Sequence, residues 1–117
     1  MKISEVKEIL NAETITGEEH FDRSVIGAGG ADLMNDVLSA AAKDAVLLTG
    51  LTSDDVIRTA KIVGVGAVVF VRGKRPTDSA IDLARSYQLP TLLTRYSLFI
   101  ACGRLYMNGL RGLDGSW

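Results

Sequence analysis

The chain has 117 residues, 47% of them hydrophobic, and a formal net charge of −1. That length suits one domain, residues 1–117, with one core, and the near-neutral charge gives no long-range attraction to nucleic acid or to an anionic membrane. The single cysteine, Cys102, rules out an intrachain disulfide and favours a cytoplasmic setting.

The opening stretch MKISEVKEILNAE lacks the apolar core of a signal peptide. The longest apolar runs are too short to span a bilayer. A first helix is expected over residues 4–11, with Ser4 as its cap and Val6, Ile9 and Leu10 as its apolar stripe. Residues 12–17 read as a short strand ending at Gly17, and EEHFDR as an exposed connection. SVIGAGG reads as a second strand, with Val25 and Ile26 buried and glycines closing it. Residues 31–43 read as a helix, because Leu33, Met34, Val37, Leu38 and Ala41 recur at helical spacing.

The second half is more regular. AVLLTG is a short apolar run that ends in a turn, followed by a helix over 51–64. Thr52 and Asp55 have capping-box spacing there, and Val56, Ile57, Ala60 and Val63 form the buried side. AVVFV is a β-branched strand, residues 77–87 a helix that Thr77 or Asp78 caps, and TLLT a further short strand after Pro90. Residues 96–110 form the closing helix, with Asn108-Gly109 as its stop. Residues 111–117 read as a flexible tail unless Trp117 docks. Alternating strands and helices, with strands that are apolar on both faces, predict a mostly parallel sheet covered by helices on each side. The fold class expected is therefore α/β.

Few chemistries are open to these residues. One cysteine and one histidine, far apart in sequence, do not supply a zinc ligand set, so no metal site is expected. His20 reads as a surface residue and Cys102 as a packed thiol among Leu98, Phe99, Leu105 and Tyr106. The serines lack a nucleophile elbow. The run Gly27-Ala28-Gly29-Gly30-Ala31-Asp32 has a carboxylate where the dinucleotide fingerprint needs glycine, and Gly50 is not followed by the Lys-Ser/Thr of a P-loop. No cofactor is expected.

The stretch VFVRGKRP is the more suggestive turn. Arg72, Lys74 and Arg75 can face a phosphate or carboxylate, and Gly73 permits close approach of the backbone. Thr49-Gly50 and Thr94-Arg95 end other strands, so Thr49, Gly50, Arg72, Gly73, Lys74 and Arg95 form a candidate anion-binding rim at the carboxyl ends of a parallel sheet. The alternative is a solvated connection. The last helix offers a different surface: Tyr96, Phe99, Tyr106 and Met107 exceed what one buried face needs, and with the small size of the chain they point to a homodimer interface.

The blocks ADLMNDVLSAA, DAVLLTG, SDDVIRTAKIVGVGAVVFVRGKRP, QLPTLLTRYSLF and ACGRLYMNGL resemble the DRTGG domain family, in its small stand-alone form. The resemblance implies a three-layer α/β/α sandwich shared with the N-terminal domain of HPr kinase/phosphorylase and, more distantly, with a Mur ligase domain. It does not imply kinase activity, which belongs to a separate P-loop domain. Two motifs depart from the family: Thr52-Ser53 stand where many members have Asp-Arg, and Val71-Arg72-Gly73 where they have Thr-Gly-Gly. The sequence thus leads to a non-enzymatic regulatory or protein-interaction domain, homodimeric and able to address a partner enzyme. The alternative is a module that binds a small anionic metabolite or nucleotide at the strand ends.

Overall fold

The computed structural model describes residues 1–113. In chain order the elements are α1 (Ile3–Ile9), β1 (Glu13–Thr16), a 3-10 turn (Glu18–His20), β2 (Ala28–Gly30), α2 (Met34–Ala40), β3 (Val46–Thr49), α3 (Asp54–Val63), β4 (Ala67–Phe70), α4 (Asp78–Ser86), β5 (Thr91–Leu93) and α5 (Leu98–Met107). The strands form one five-stranded sheet in the order β1-β5-β4-β3-β2. β2 to β5 are mutually parallel, and β1 runs antiparallel along β5. This is the α/β sandwich expected from the alternation of elements.

The period of two along each strand sorts the core into two halves. Val46, Leu48, Val69, Val71 and Leu92 pack against Ile3, Val6 and Leu10 of the N-terminal helix and its end, and against Ala101 and Leu105 of α5. Leu47, Val68 and Phe70 point the other way, into Val37 of α2, Val56, Ile57 and Ala60 of α3, and Ala80 and Ala84 of α4. β3 and β4 are buried at every position, which is why they read as unbroken apolar runs. Consecutive parallel strands lie side by side, so crossovers of one hand deliver α2, α3 and α4 to one face. α1 and α5, which are not crossovers between parallel strands, cover the other.

The antiparallel edge is fixed by polar groups. The Thr16 hydroxyl donates to Leu89 O at 2.7 Å and lies 2.7 Å from the Thr91 hydroxyl, with both residues buried. Buried hydroxyls are costly unless paired, so this register satisfies both. Gly17, at φ 78°, turns the chain away from β1 directly over Pro90, where a Cβ would collide with Pro90 Cα.

Several elements differ from expectation. Ile26 is 73% exposed instead of buried, and the strand of that region is confined to β2. The amides of Val25 and Ile26 are taken by Met1 O and Asp44 O, off the sheet ladder. The helix expected over 31–43 is only seven residues long, and of its apolar stripe Val37 alone is fully buried; Leu33 and Leu38 are 66% and 64% exposed. Ala40 sits so close over Gly29 that a Cβ on that glycine would meet Ala40 O, and the chain turns extended at Ala41. Capping also shifts. Glu5 accepts the Lys2 amide at 3.0 Å, so Ser4 lies inside α1. Ser53, not Thr52, precedes α3, while Thr52 O accepts from Thr77 N at 3.1 Å. Thr77 and Ser97 cap α4 and α5, accepting from Ala80 N and Ile100 N. Of the expected tail, residues 111–113 are described: Gly112 bridges Ala28 in parallel, and Arg111 O accepts from Ala28 N at 2.9 Å. Trp117 lies outside the described residues.

Candidate functional site

A parallel sheet gathers the residues that follow its strands on one rim, here Asp32, Thr49-Gly50, Arg72 to Lys74, and Thr94-Arg95. β2, β3, β4 and β5 lie in sequence order, however. Among these strands there is no reversal of the kind that opens a ligand crevice in doubly wound sheets. The rim residues instead separate into two groups.

The first group is closed on itself. Arg72 Nη1 donates to Asp32 Oδ2 at 2.8 Å, and the Gly50 amide donates to Asp32 Oδ1 at 2.7 Å. The guanidinium lies over Gly50 where a Cβ would otherwise be, so a side chain at residue 50 would push it from this position. The hydrogen bond from Arg72 holds the Asp32 carboxyl below its usual range; partial burial opposes this, and the Gly50 amide and the charges of Arg72 and Lys74 assist it. Thr49, fully buried, uses its hydroxyl to accept Leu51 N at 3.1 Å.

The turn after β4 is tight: Arg72 and Gly73 both adopt left-handed backbone, at φ 59° and 66°. It is not a backbone anion cradle. Arg72 N donates to Tyr96 O at 2.8 Å, Gly73 N to Thr94 O at 2.9 Å, and Lys74 N to Val71 O at 3.2 Å. Every amide that would have to converge on a phosphate already has a carbonyl. The Gly27–Asp32 run forms no phosphate turn either, since Gly29 and Gly30 lie within β2.

The second group lines a cleft of about 270 Å³ bounded by Leu10, Asn11, Glu13, Gly73, Arg95 and Tyr96. Thr94 forms its floor, donating to Leu10 O at 2.7 Å and accepting Tyr96 N at 3.3 Å. Arg75 is drawn to the edge by an ion pair with Glu13 at 3.0 Å. Lys74 and Arg95 make no ion pair among the described residues. The volume suits a small anion and is below the several hundred Å³ that a nucleotide needs.

A third feature lies along α5. Phe99 and Met107 are 84% and 86% exposed, Ile100 and Tyr106 about half as much, and together with β2 and residues 110–112 they border an open apolar groove of about 1020 Å³. Ile100 was not anticipated, because the stripe of α5 is broader than one helix face. Tyr96, expected at an interface, is partly used inside the fold: Arg104 stacks on its ring at 4.8 Å while donating to Ile9 O at 3.2 Å. Arg111 covers the Tyr106 ring at 4.4 Å. Cys102 is half-buried in this groove; burial first, and then the Asp32 charge, push its thiol up, which keeps it protonated and a poor nucleophile.

His20 is less exposed than its polar neighbours suggest. Its Nε2 is buried, 3.6 Å from Glu19 Oε1 and without a hydrogen-bond partner among the described residues. Among the described residues no cluster of three or more His, Cys, Asp or Glu side chains is placed to hold a metal. No helix among them is long and apolar enough to cross a membrane. Asp32 is the rim residue that sequence reasoning passed over as a partner of Arg72. Only its position after a strand hinted at the role, since the pair joins loops 40 residues apart.

Compared with solved structures, this architecture matches the CBS and DRTGG domains of the regulatory region of Clostridium perfringens pyrophosphatase, determined with the activator diadenosine tetraphosphate. The TM-score is 0.67 at 19% sequence identity. The fold is DRTGG-like. The match covers 94% of this chain and 47% of that one, so the DRTGG-like chain spans about half the length of its structural neighbour. No family model matches the sequence, and no curated protein does.

Proposed function

We propose that this DRTGG-like chain is a non-catalytic regulatory domain of the cytoplasm that pairs with a second copy of itself through α5 and acts on a partner enzyme. The observation that carries the reading is the exposed stripe Phe99, Gly103, Met107. These residues are spaced by four and share one line along the helix. A Cβ at Gly103 would meet nothing within 4 Å among the described residues, so none of their contacts requires glycine there. Glycine nonetheless costs about 1 kcal/mol in a helix interior.

A two-fold axis at Gly103 accounts for it. Two antiparallel copies of α5 would approach closely at the glycines, with Phe99 of one against Met107 of the other. Phe99, Ile100, Tyr106 and Met107 offer on the order of 500 Å² per copy, short of the ~800 Å² per partner of a standard interface. The groove floor along β2 and residues 110–112 extends the same surface. The regulatory role is supported by the likeness to a regulatory region.

Sedimentation velocity tests the pairing. At micromolar concentration the protein is expected at twice its 12.5 kDa chain mass, and Phe99→Glu or Met107→Glu is expected to give a folded monomer. A wild-type monomer at that concentration would rule the pairing out.

A second reading is favoured by the cleft beside Gly73, where Arg95 makes no ion pair among the described residues and Lys74 follows on the same turn. A small phosphate or carboxylate ligand is proposed there, against Gly73 and Arg95, with Lys74 next along the turn; Thr49, Gly50 and Arg72 of the expected rim belong to the other group. The structural neighbour's complex with a phosphate-bearing activator lends this support. Such a ligand should raise the melting temperature by binding only the folded state, and Arg95→Ala should remove the shift. No shift across phosphates, carboxylates and nucleotides would refute the reading.

A further inference from the structure

The Asp32 carboxylate is gripped by two donors, one for each oxygen: the Gly50 amide at 2.7 Å and Arg72 Nη1 at 2.8 Å. That is the arrangement by which proteins bind a free carboxylate or a phosphate group. We propose that the Gly50 amide and the Arg72 guanidinium form a receptor for an oxyanion ligand, a carboxylate or a phosphate monoester, which the Asp32 side chain occupies until the ligand displaces it. The inference takes its ligand class from the second reading above, but concerns a different pair of donors.

Four features of the fold suit this role. The side chains of Asp32 and Arg72 are 36% and 41% exposed, so both can be reached from solvent. Gly50 leaves the space through which the guanidinium and the backbone amide reach the same anion. Arg72 holds a left-handed backbone at φ 59°, a conformation disfavoured for a residue with a Cβ, and its amide is pinned to Tyr96 O, so the root of the donor side chain is fixed by the fold. Asp32, by contrast, is on the segment between β2 and the seven-residue α2, whose only fully buried side chain is Val37. Ala31, just before Asp32, is still hydrogen-bonded to Leu48 O; from Asp32 onward the acceptor segment is the less packed one, while the backbones that carry the donors are anchored. Once Asp32 moves out, Arg72 and the neighbouring Lys74 leave a local excess of positive charge.

An internal carboxylate lowers the apparent affinity for a ligand by the fraction of molecules in which the receptor is already filled. Removing it therefore tightens binding. Titration of the full chain with inorganic phosphate, and separately with acetate, followed by the backbone amide spectrum, reads this directly. In Asp32→Ala the Gly50 amide is expected to shift on titration, with an affinity at least about fivefold above that of the wild type. Asp32→Asn, a neutral near-isostere that guards against a folding defect, should lie between the two. Adding Arg72→Gln to either variant should abolish the shift at Gly50.

Equal affinity in wild type, Asp32→Asn and Asp32→Ala would overturn the proposal. So would binding that is lost with Arg95→Ala but kept with Arg72→Gln, an outcome that leaves the cleft reading intact. A response to acetate alone, or to phosphate alone, supports the receptor and identifies the ligand group.

Discussion

Asp32 reaches Arg72 across the end of β3, and the charge of that pair has a signature in pH. Its carboxyl is held below the usual range in the folded protein, chiefly by the Arg72 hydrogen bond. Its contribution is therefore present above the ordinary carboxylate pKa and lost as the pH falls through the lowered folded value. Both side chains are more than a third exposed, so after screening the pair is worth about 0.5 kcal/mol. Urea melts across pH should show wild type exceeding Asp32→Asn by that amount at neutrality, with the gap closing below about pH 4. A gap that persists in acid would mean that shape, not charge, sets the contribution. Arg72, Gly50 and Arg95 were legible as rim residues because each follows a strand. Their division into a closed pair and an open cleft was not, because it depends on which strands are neighbours.

At the scale of elements, legibility followed burial. β3, β4, α3, α4 and α5 are driven by continuous apolar runs or clear helical stripes, and each lies close to where its pattern predicts. β2 and α2 lie at the sheet edge, where few side chains are buried and backbone pairing with Met1, Asp44 and Arg111 decides the path. A propensity pattern carries no information about those distant partners. The link from β1 to the rest of the sheet is similar. Gly17 combines a left-handed φ with backbone contact to Pro90, whereas a Cβ at Gly50 would meet mainly the movable end of Arg72. Gly17→Ala should therefore cost about 2–4 kcal/mol in chemical denaturation, and Gly50→Ala no more than about 1. If the two cost the same, the close seating of the β1 turn on Pro90 is not what holds that edge.

At the scale of the whole molecule, the two cores are unequal in how well they are sealed. α2, α3 and α4 span the whole parallel part of the sheet on one face. The other face has only α1 and α5, and α5 must both cover the sheet and present Phe99 and Met107 outward. Pairing through α5 would complete the thinner layer, so the dimer proposed above should also make the melting temperature rise with protein concentration. The alternation of elements made the layers legible in the sequence, and the first half could be read as adding strands at the sheet edge, while the direction and partner of β1 were not legible, because no local pattern distinguishes an antiparallel edge strand from one more parallel strand.

The place of β1 has a consequence for the order in which the molecule can be built. β2 to β5 are laid down neighbour by neighbour, so each new strand finds its pairing partner already made. β1 is synthesised before all of them, yet its sheet partner among the described residues is β5, and the Thr16–Thr91 contact spans 75 residues. During synthesis the first strand must wait, unpaired, until the last one leaves the ribosome. The N-terminal segment is thus the closing clasp of the sheet instead of its nucleus, and a chain arrested before β5 would hold three paired strands of the sheet and an idle fourth.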